Sequence, residues 1–438
     1  MPLSIREYLK RGPATSKEIQ VATGLSQAAV SRQLRGMGDR VIRLVRGRSP
    51  SYAMTRNAFG GDDKLPLFMV DAHGNTVSVA LIRPLVHGGF FVDLLAGALA
   101  VLLGEGRDGL YDDLPYFLSD LTPQGFMGRQ IAAEMALQSN DFPPDPRYWN
   151  THHIGRYLLA NGDDLPGDFK FGQQAHLRVR RKPIVSTAKD YPALADSVMN
   201  GIIPDSSAGG EQPKFTAYCG DRSAHVIVKF SPLGDSAFAR RWRDILITEY
   251  HATEAIHRQS FLAAETQLIE MDGRLFLESQ RFDRTGEYGR MSMLSLLSVD
   301  AEFTGLGNDW PRVMEALHNK DLIRWQHVYE AEFLWNFGRL INNTDMHLGN
   351  LSLAIDGSVF RLLPVYDMCS MGFAPKSGDV GPYCFIPPIQ RAINLDEDTL
   401  LQIKGMAHDF WESVASDVRI SDEFKEFLSR GNPIDLMK

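Results

Sequence analysis

The sequence contains few cysteines, the residue on which disulfide frameworks and most structural zinc sites depend. Its 438 residues include only three cysteines, and Cys219, Cys369 and Cys384 lie far apart in the chain. An odd number of unclustered cysteines argues against a zinc site and against a disulfide scaffold, which is typical of small secreted domains. Low-complexity tracts are also missing, so the composition indicates an ordinary globular protein.

Long apolar runs are missing as well. A membrane-spanning helix needs about 20 apolar residues, and the longest candidate, residues 90–103, is shorter and contains Asp93. The first residues lack the apolar segment of a secretory signal peptide. These absences predict a cytoplasmic protein with no membrane partner. The apolar spacing instead predicts helices at 92–103, 125–136 and 151–160.

Charge is divided unevenly along the chain. The whole protein carries a formal net charge of −8, but residues 1–57 hold eleven Lys and Arg against three Asp and Glu, a net charge of +8. The rest of the chain therefore carries −16. A basic opening segment before an acidic remainder indicates a separate module, and the length allows roughly two to three domains.

The opening segment, residues 1–57, has the pattern of a winged helix-turn-helix. Three helices are predicted, at 4–10, 16–22 and 27–36. Gly24 lies in the turn before the third helix, and Ser26 caps that helix. Alternating residues then predict the two strands of a wing, at 40–45 and 51–55. The segment resembles the winged helix-turn-helix of bacterial transcriptional regulators; a small helical bundle that makes protein contacts is the alternative.

DNA is the partner that this module predicts, because the charge excess is concentrated here. The residues expected to face the major groove are Gln27, Ser31, Arg32 and Arg35. The arginines expected at the wing tip, within reach of phosphates or the minor groove, are Arg46 and Arg48. After a linker predicted at 57–64, two further lobes are expected, at 65–283 and 284–438. In the first of them, the aromatic loop 114–125 is interpreted as packing.

The most informative stretch is N-x-D-x-H-x-x-N, at 343–350. Asp345 and Asn350 are five apart, like the base and a metal ligand of the protein-kinase catalytic loop, and Asp367 follows where kinases place the Asp that binds magnesium. Phosphoryl transfer needs a carboxylate to orient the attacking hydroxyl and hard oxygen ligands for the cation. A buried helix and a hairpin are predicted on either side, at 333–341 and 351–363. Taken alone, the stretch could also be an ordinary turn.

A segment of small residues lies upstream, at 204–214. Its glycines would let backbone amides approach an anion, although an ordinary turn would explain it equally. Lys229 then lies on a predicted strand, 225–230, as the phosphate-binding Lys of a kinase does. A Lys in an apolar strand is costly to bury without an anionic partner. Glu249, on the helix predicted at 240–256, is the expected partner.

Residues 274–284 predict a strand that continues into an extended, partly polar segment. A hinge that binds adenine needs this arrangement, with backbone amides at the base edge and Phe282 stacking beside the base. A plain edge strand is an equally good interpretation of this segment.

In order, these segments resemble the HipA family of bacterial toxin kinases. The motifs that carry the resemblance are S-S-A-G-G-E-Q-P-K (206–214), V-I-V-K-F (226–230), R-F-D-R (281–284), N-x-D-x-H-x-x-N (343–350) and V-Y-D (365–367). The resemblance implies an α+β protein with a HipA or protein-kinase-like two-lobe fold, here preceded by the winged helix-turn-helix. It also implies a serine/threonine kinase that uses ATP and Mg²⁺.

The resemblance assigns roles to individual residues. Asp345 would be the catalytic base, and Asn350 and Asp367 the magnesium ligands. The residues implied to bind ATP are Ser206, Ser207, Ala208, Gly209, Gly210, Lys214, Lys229, Gln280, Phe282, Asp283, His347 and Tyr366. In the family a Ser of the phosphate loop can be autophosphorylated, which ejects the loop and silences the kinase. Ser206 or Ser207 matches that Ser, and a phosphate there would repel the phosphates of ATP.

The resemblance also implies partners. Family members phosphorylate aminoacyl-tRNA synthetases and arrest growth, and they are usually encoded beside a DNA-binding antitoxin, HipB. Two departures bear on this. Gln280 stands where a Glu is common, which weakens the adenine assignment, and a DNA-binding module is fused here, which puts a separate HipB-like antitoxin in question. A homodimer is a further arrangement left open.

Three hypotheses from different classes follow. A toxin-type serine/threonine kinase is favoured because every catalytic position is filled. A DNA-binding regulator with a kinase-like ATP sensor is the alternative, since intact residues do not establish turnover. The third is a metal-dependent nuclease using Asp345, His347 and Asp367, which would leave the phosphate loop and Lys229 without a role.

Overall fold

The computed structural model describes residues 3–46, 49–95, 97, 99–162, 164–200, 212–307, 309–375, 379–385 and 394–435. Four groups of secondary structure follow one another along the chain. All three cysteines lie in the described part and are free thiols, as expected for a chain without disulfides. Among the described helices, none is both long and apolar enough to cross a lipid bilayer.

The first unit, residues 3–56, has three helices and a three-stranded sheet. Its elements are α1 (Ile5–Leu9), β1 (Ala14–Thr15), α2 (Ser16–Thr23), α3 (Gln27–Gly36), β2 (Val41–Arg46) and β3 (Ser49–Met54), with sheet order β1-β3-β2. Gly24 ends α2 with a φ of 71°, a left-handed conformation that suits glycine. The Ser26 hydroxyl begins α3 by accepting a hydrogen bond from the backbone N–H of Ala29. The predicted helices, turn and hairpin are confirmed.

This unit packs directly on the next one. Arg83 donates to the backbone oxygens of Asp39, at 2.7 Å, and Asp63, at 2.8 Å. Phe59 is buried and stacks on Phe90, with ring centroids 5.8 Å apart. The linker predicted at 57–64 is therefore packed, because an aromatic ring and a buried arginine hold this segment against the neighbouring sheet.

The middle unit contains a five-stranded sheet and four helices. Its elements are β4 (Leu65–Val70), β5 (Thr76–Pro84), β6 (Phe90–Leu94), β7 (Leu110–Tyr111), α4 (Tyr116–Ser119), α5 (Gly125–Gln138), α6 (Thr151–Asn161), β8 (Phe169–Phe171) and α7 (Gln173–Leu177), with sheet order β7-β6-β5-β4-β8. The helices predicted at 125–136 and 151–160 are confirmed. The helix predicted at 92–103 is wrong: this apolar run begins as strand β6 and ends in a short 3₁₀ turn, Ala100–Leu103.

The third unit is a second, separate five-stranded sheet with two helices. Its elements are β9 (Val185–Ser186), α8 (Tyr191–Met199), β10 (Lys214–Cys219), β11 (Ala224–Phe230), α9 (Ala237–Arg258), β12 (Thr266–Met271) and β13 (Arg274–Gln280), with sheet order β12-β13-β11-β10-β9. Lys214 and Lys229 are cross-strand neighbours on β10 and β11. The stretch predicted as one lobe, 65–283, thus contains two sheets.

The last unit is mostly helical. Its elements are β14 (Arg284–Thr285), β15 (Gly289–Arg290), β16 (Leu294–Ser295), α10 (Leu296–Phe303), α11 (Trp310–Asn319), α12 (Trp325–Leu340), β17 (Ser352–Asp356), β18 (Val359–Leu362), α13 (Glu397–Ser416) and α14 (Asp422–Leu428). The buried helix predicted before the catalytic stretch is α12, and the hairpin predicted after it is β17 and β18. Both predictions are confirmed. Gly357 and Ser358 form the tight turn, and Gly357 has a φ of 65°.

Candidate active site

The stretch after α12 forms a loop that is held by its own asparagines. Asn342 has a φ of 60°, which turns the chain out of the helix. The Asn343 side chain accepts a hydrogen bond from the backbone N–H of Asp345 at 3.0 Å. The Asn350 amide nitrogen donates to the backbone oxygen of Asp345 at 2.7 Å. The Asp345 carboxylate is half exposed, 3.8 Å from Nε2 of His347, and is therefore accessible to a molecule from solvent.

Asp367 follows the β17–β18 hairpin and has a strained backbone. Its φ of 55° lies in the left-handed region, which a residue with a side chain adopts at a cost of about 1 kcal/mol or more. The Asn343 amide donates to its backbone oxygen at 3.4 Å, which joins the two loops. Strain of this kind persists where the surrounding contacts fix a functional side chain.

A buried lysine lies between two carboxylates at this point. Nζ of Lys229 is 2.5 Å and 2.7 Å from the two carboxylate oxygens of Glu249, and 2.5 Å from Oδ1 of Asp367. The ion-pair partner predicted for Lys229 is confirmed. Burial alone would lower the pKa of Lys229, but the carboxylates of Asp367 and Glu249 outweigh it and raise that pKa, so the side chain is an ammonium. Burial lowers the pKa of the neighbouring Lys214.

These side chains meet at a cavity of about 210 Å³. The residues from the predicted site that line it are Lys214, Lys229, Gln280, Phe282, Asp283, His347, Asn350, Tyr366 and Asp367. Asp345 is not part of the lining, but it lies beside it through its contacts with His347 and Asn350. The structure therefore brings the predicted residues of both lobes to one cleft.

The wall formed by the predicted hinge is aromatic. Phe282 packs beside Tyr366, with ring centroids 5.8 Å apart. The Tyr366 hydroxyl donates to the backbone oxygen of Gly349 at 3.1 Å and lies 2.8 Å from the Ser352 hydroxyl. The Gln280 backbone N–H donates to the Glu265 oxygen at 2.8 Å. Two aromatic residues therefore line this wall of the cavity, while the Gln280 backbone N–H is already bonded to Glu265.

Asp283 differs from its predicted environment. Its carboxylate is buried and accepts from Nε of Arg281 at 3.0 Å, from Arg284, and from the backbone N–H of Gly167 at 2.9 Å. Burial alone would raise the pKa of Asp283, but the two guanidinium groups lower it. These contacts hold the hinge to the middle unit, and Asp283 also lines the cavity.

Arg284 extends this anchor. It donates to the Asp164 carboxylate at 2.7 Å and to the backbone oxygen of Leu165 at 2.8 Å. The R-F-D-R motif, which the sequence predicts as part of the hinge, therefore also binds the segment around Asp164, more than a hundred residues earlier. Nothing in the local sequence around Asp164 indicates this contact.

The middle unit supplies cavity residues that sequence reasoning missed. They are Asp120, Leu121, Thr122, Gln124 and Pro166. The first four lie in the loop interpreted from the sequence as packing alone. Their pattern carries no signal of a site, because only the tertiary contact between units brings them to the cavity.

The remaining predicted residues lie elsewhere or outside the described part. Ser206, Ser207, Ala208, Gly209, Gly210 and Arg48 lie outside the described residues, as does the side chain of Arg46. The side chains predicted to face DNA, those of Gln27, Ser31, Arg32 and Arg35, are all exposed on helix α3. One face of this helix is free of the protein core, while Val30 and Leu34 bury the other.

Known proteins are similar to this chain over most of its length. The protein-family model of the YjjJ-like toxin middle domain matches residues 61–180. The family model of the HipA-like C-terminal domain matches residues 206–429. Toxin YjjJ of Escherichia coli (strain K12) is 34% identical over 430 residues, which cover 96% of this chain and 94% of that protein.

Solved structures are similar in fold. A chain of the Shewanella oneidensis MR-1 complex of HipA, HipB and operator DNA has a TM-score of 0.52 at 15% identity, covering 82% of this chain and 91% of that chain. The Helicobacter pylori proinflammatory kinase CtkA has a TM-score of 0.34 at 17% identity, covering 51% of this chain and 88% of that chain. The first match confirms the predicted HipA-like two-lobe fold; the second is too distant to support an argument by itself.

Proposed function

The chain belongs to the HipA-like family of toxins, and from that premise we propose that it is an ATP- and Mg²⁺-dependent serine/threonine protein kinase. In this proposal Asp345 orients the acceptor hydroxyl and accepts its proton. Lys214 and Lys229 bind the phosphates, and Asn350 and Asp367 hold the cation. Bound Mg²⁺ would neutralise charge on the β- and γ-phosphates.

The observation that carries the proposal is the position of Lys229. An ammonium held between the carboxylates of Glu249 and Asp367 opens onto a cavity that Asn350 also lines. Because the Asn350 amide nitrogen already donates to Asp345, its oxygen is left to accept. One carboxylate and one amide oxygen form a hard donor set, which fits Mg²⁺. In the proposal, the buried ammonium of Lys229 beside these oxygens binds the phosphates of ATP.

Incubation of the purified full chain with γ-labelled ATP tests the proposal. We expect label on the protein with Mg²⁺ and none with EDTA, and we expect the labelled peptide to contain Ser206 or Ser207. Nucleotide binding without any transfer, to itself or to an added protein, would favour the regulator. Cleavage of plain DNA with metal and without ATP would favour the nuclease that uses Asp345, His347 and Asp367.

The proposal extends to growth and partners. Overproduction is expected to arrest growth, and an aminoacyl-tRNA synthetase is the proposed protein substrate. A HipB-like antitoxin is a proposed partner; in support, the similar Shewanella structure is a complex of HipA with HipB and operator DNA. A homodimer is also proposed.

DNA binding by the first unit is a second part of the proposal. The exposed side chains of Gln27, Ser31, Arg32 and Arg35 on α3 support it. We expect Arg32→Ala combined with Arg35→Ala to weaken binding about tenfold or more in a gel shift at fixed salt. The slope of log affinity against log salt concentration should fall in magnitude by roughly one to two. Lys404→Ala combined with Lys189→Ala, at exposed positions outside the first unit, is the charge-matched control. Equal affinity of the double variant and the control would contradict this part.

A further inference from the structure

The middle unit forms one wall of the cavity in which the nucleotide is proposed to bind. The residues that it contributes, Asp120, Leu121, Thr122, Gln124 and Pro166, come from the α4–α5 connection and from the segment before β8. The units that carry the proposed catalytic residues supply the other walls. The cavity is therefore shared between the middle unit and the two units that follow it.

Two contacts fix this wall in place. The Asp120 carboxylate accepts the backbone N–H of Ser295 at 2.7 Å, and it also accepts the Ser295 hydroxyl. On the other side, the Gly167 N–H donates to Asp283 at 2.9 Å. Burial raises the pKa of Asp120, and its bonds to Ser295 oppose that shift. One of these acceptors is buried and the other is partly buried, so hydrogen bonds at both sides fix the wall to the units that follow.

The wall lies close to the residues beside Asp367. Ser295 on β16 pairs in register with Ser352 on β17, and the Ser352 hydroxyl is 2.8 Å from that of Tyr366. The Asp120 segment is thus connected to Tyr366 through Ser295 and Ser352.

The lining of the cavity combines two kinds of side chain. Lys214 and Lys229 are cationic, and Asp367 lies with them. Ile227, Ala264, Phe282 and Met293 are apolar. A nucleotide that binds its phosphates at the lysines and its base against apolar side chains leaves its sugar for other polar groups of the lining. Asp283, the residue predicted from the sequence at the sugar and base, has both oxygens occupied by arginines and a backbone amide.

Thr122 and Gln124 are the polar middle-unit side chains that remain for the sugar. The Thr122 hydroxyl donates to the Ser119 oxygen at 2.7 Å, so its lone pairs stay available as acceptors. Gln124 is exposed at the cavity wall and carries both a donor and an acceptor. We propose that Thr122 and Gln124 recognise the ribose 2′-hydroxyl, so that the middle unit makes the site selective for ribonucleotides. This inference rests on the proposed nucleotide-binding function.

Calorimetric titration of the full chain with ATP and with 2′-deoxyATP, both with Mg²⁺, tests this assignment. We expect the unaltered protein to bind ATP about tenfold more tightly, the effect of one good hydrogen bond. Thr122→Val combined with Gln124→Leu should weaken ATP about tenfold, leave 2′-deoxyATP unchanged and bring the affinity ratio close to one. Gln138→Leu, at the exposed far end of α5, is the matched control.

Each result decides a different question. Equal affinities of the unaltered protein for the two nucleotides, or an unchanged ratio in the double variant, would overturn the role of Thr122 and Gln124 while leaving the kinase proposal intact. No binding of either nucleotide by the unaltered protein would overturn both. A further outcome is that the double variant binds both nucleotides more weakly to the same degree while its far-ultraviolet circular dichroism is unchanged. That result would mean that the wall shapes the cavity without bonding to the sugar, and it would contradict the assignment.

Discussion

Asp345→Asn is expected to lower the rate of phosphate transfer from ATP about 10²–10⁴-fold, the usual contribution of a positioned general base. The substitution keeps the shape of the side chain and removes only its ability to take a proton. The carboxylate is half exposed, and Oδ1 lies 3.8 Å from Nε2 of His347. The loop itself is held through backbone atoms of residue 345, by Asn343 and Asn350. Initial rates of label incorporation at saturating ATP measure the effect.

The fold and the nucleotide affinity should survive this change. A substitution at a surface position away from buried contacts usually alters the free energy of unfolding by no more than about 0.5 kcal/mol. Asp356→Asn, an exposed carboxylate at the turn of the β17–β18 hairpin, is the control and should keep the full rate. A variant at 345 that retains more than a tenth of the rate would show that another group orients the hydroxyl.

Local signals in the sequence predict local structure well in this chain. Ser26 and Gly24 bound the helices on either side of their turn, because capping and left-handed conformations depend on residues that are adjacent in sequence. The five-residue interval from Asp345 to Asn350 is likewise a property of one loop, and the structure places the two residues in contact. Lys229 and Glu249 are separated by twenty residues, but the cost of burying a lone ammonium is enough to require such a partner.

The sequence does not predict the contacts between units. Asp283 bonds to Gly167, 116 residues away, and no local pattern specifies that partner. For the same reason the segment 120–124 was interpreted as packing alone, although it lines the cavity. The apolar run 92–103 illustrates a different limit, because a short buried strand and a buried helix share the same composition. Which of them forms depends on the neighbouring strand, β5, that pairs with it.

Lys229→Met is expected to lower the free energy of unfolding by about 3–5 kcal/mol, the usual cost of removing one member of a buried ion pair. Nζ of Lys229 is the cation between Glu249 and Asp367, and the side chains of Lys229 and Glu249 are 5% and 4% exposed. Without the ammonium, two carboxylates remain close together, and that of Glu249 has little access to water. Urea unfolding followed by tryptophan fluorescence measures the loss, and Lys189→Met, at an exposed position, is the matched control.

The pH dependence of Lys229→Met distinguishes lost charge pairing from lost packing. In the unaltered protein burial would raise the pKa of Asp367, but Lys229 outweighs it and lowers that pKa, so the stabilisation is present at neutral pH and is lost as the pH falls through the folded-state value. In the variant the same carboxylates take up protons more readily, so its deficit should be largest near pH 7 and shrink towards pH 4. Lys229→Met with Glu249→Leu should recover at least half of the deficit, because it also removes one unpaired carboxylate. A deficit that is constant with pH, and losses that add in the double variant, would instead mean that Lys229 acts through its aliphatic packing and that the charged triad does not organise the cleft.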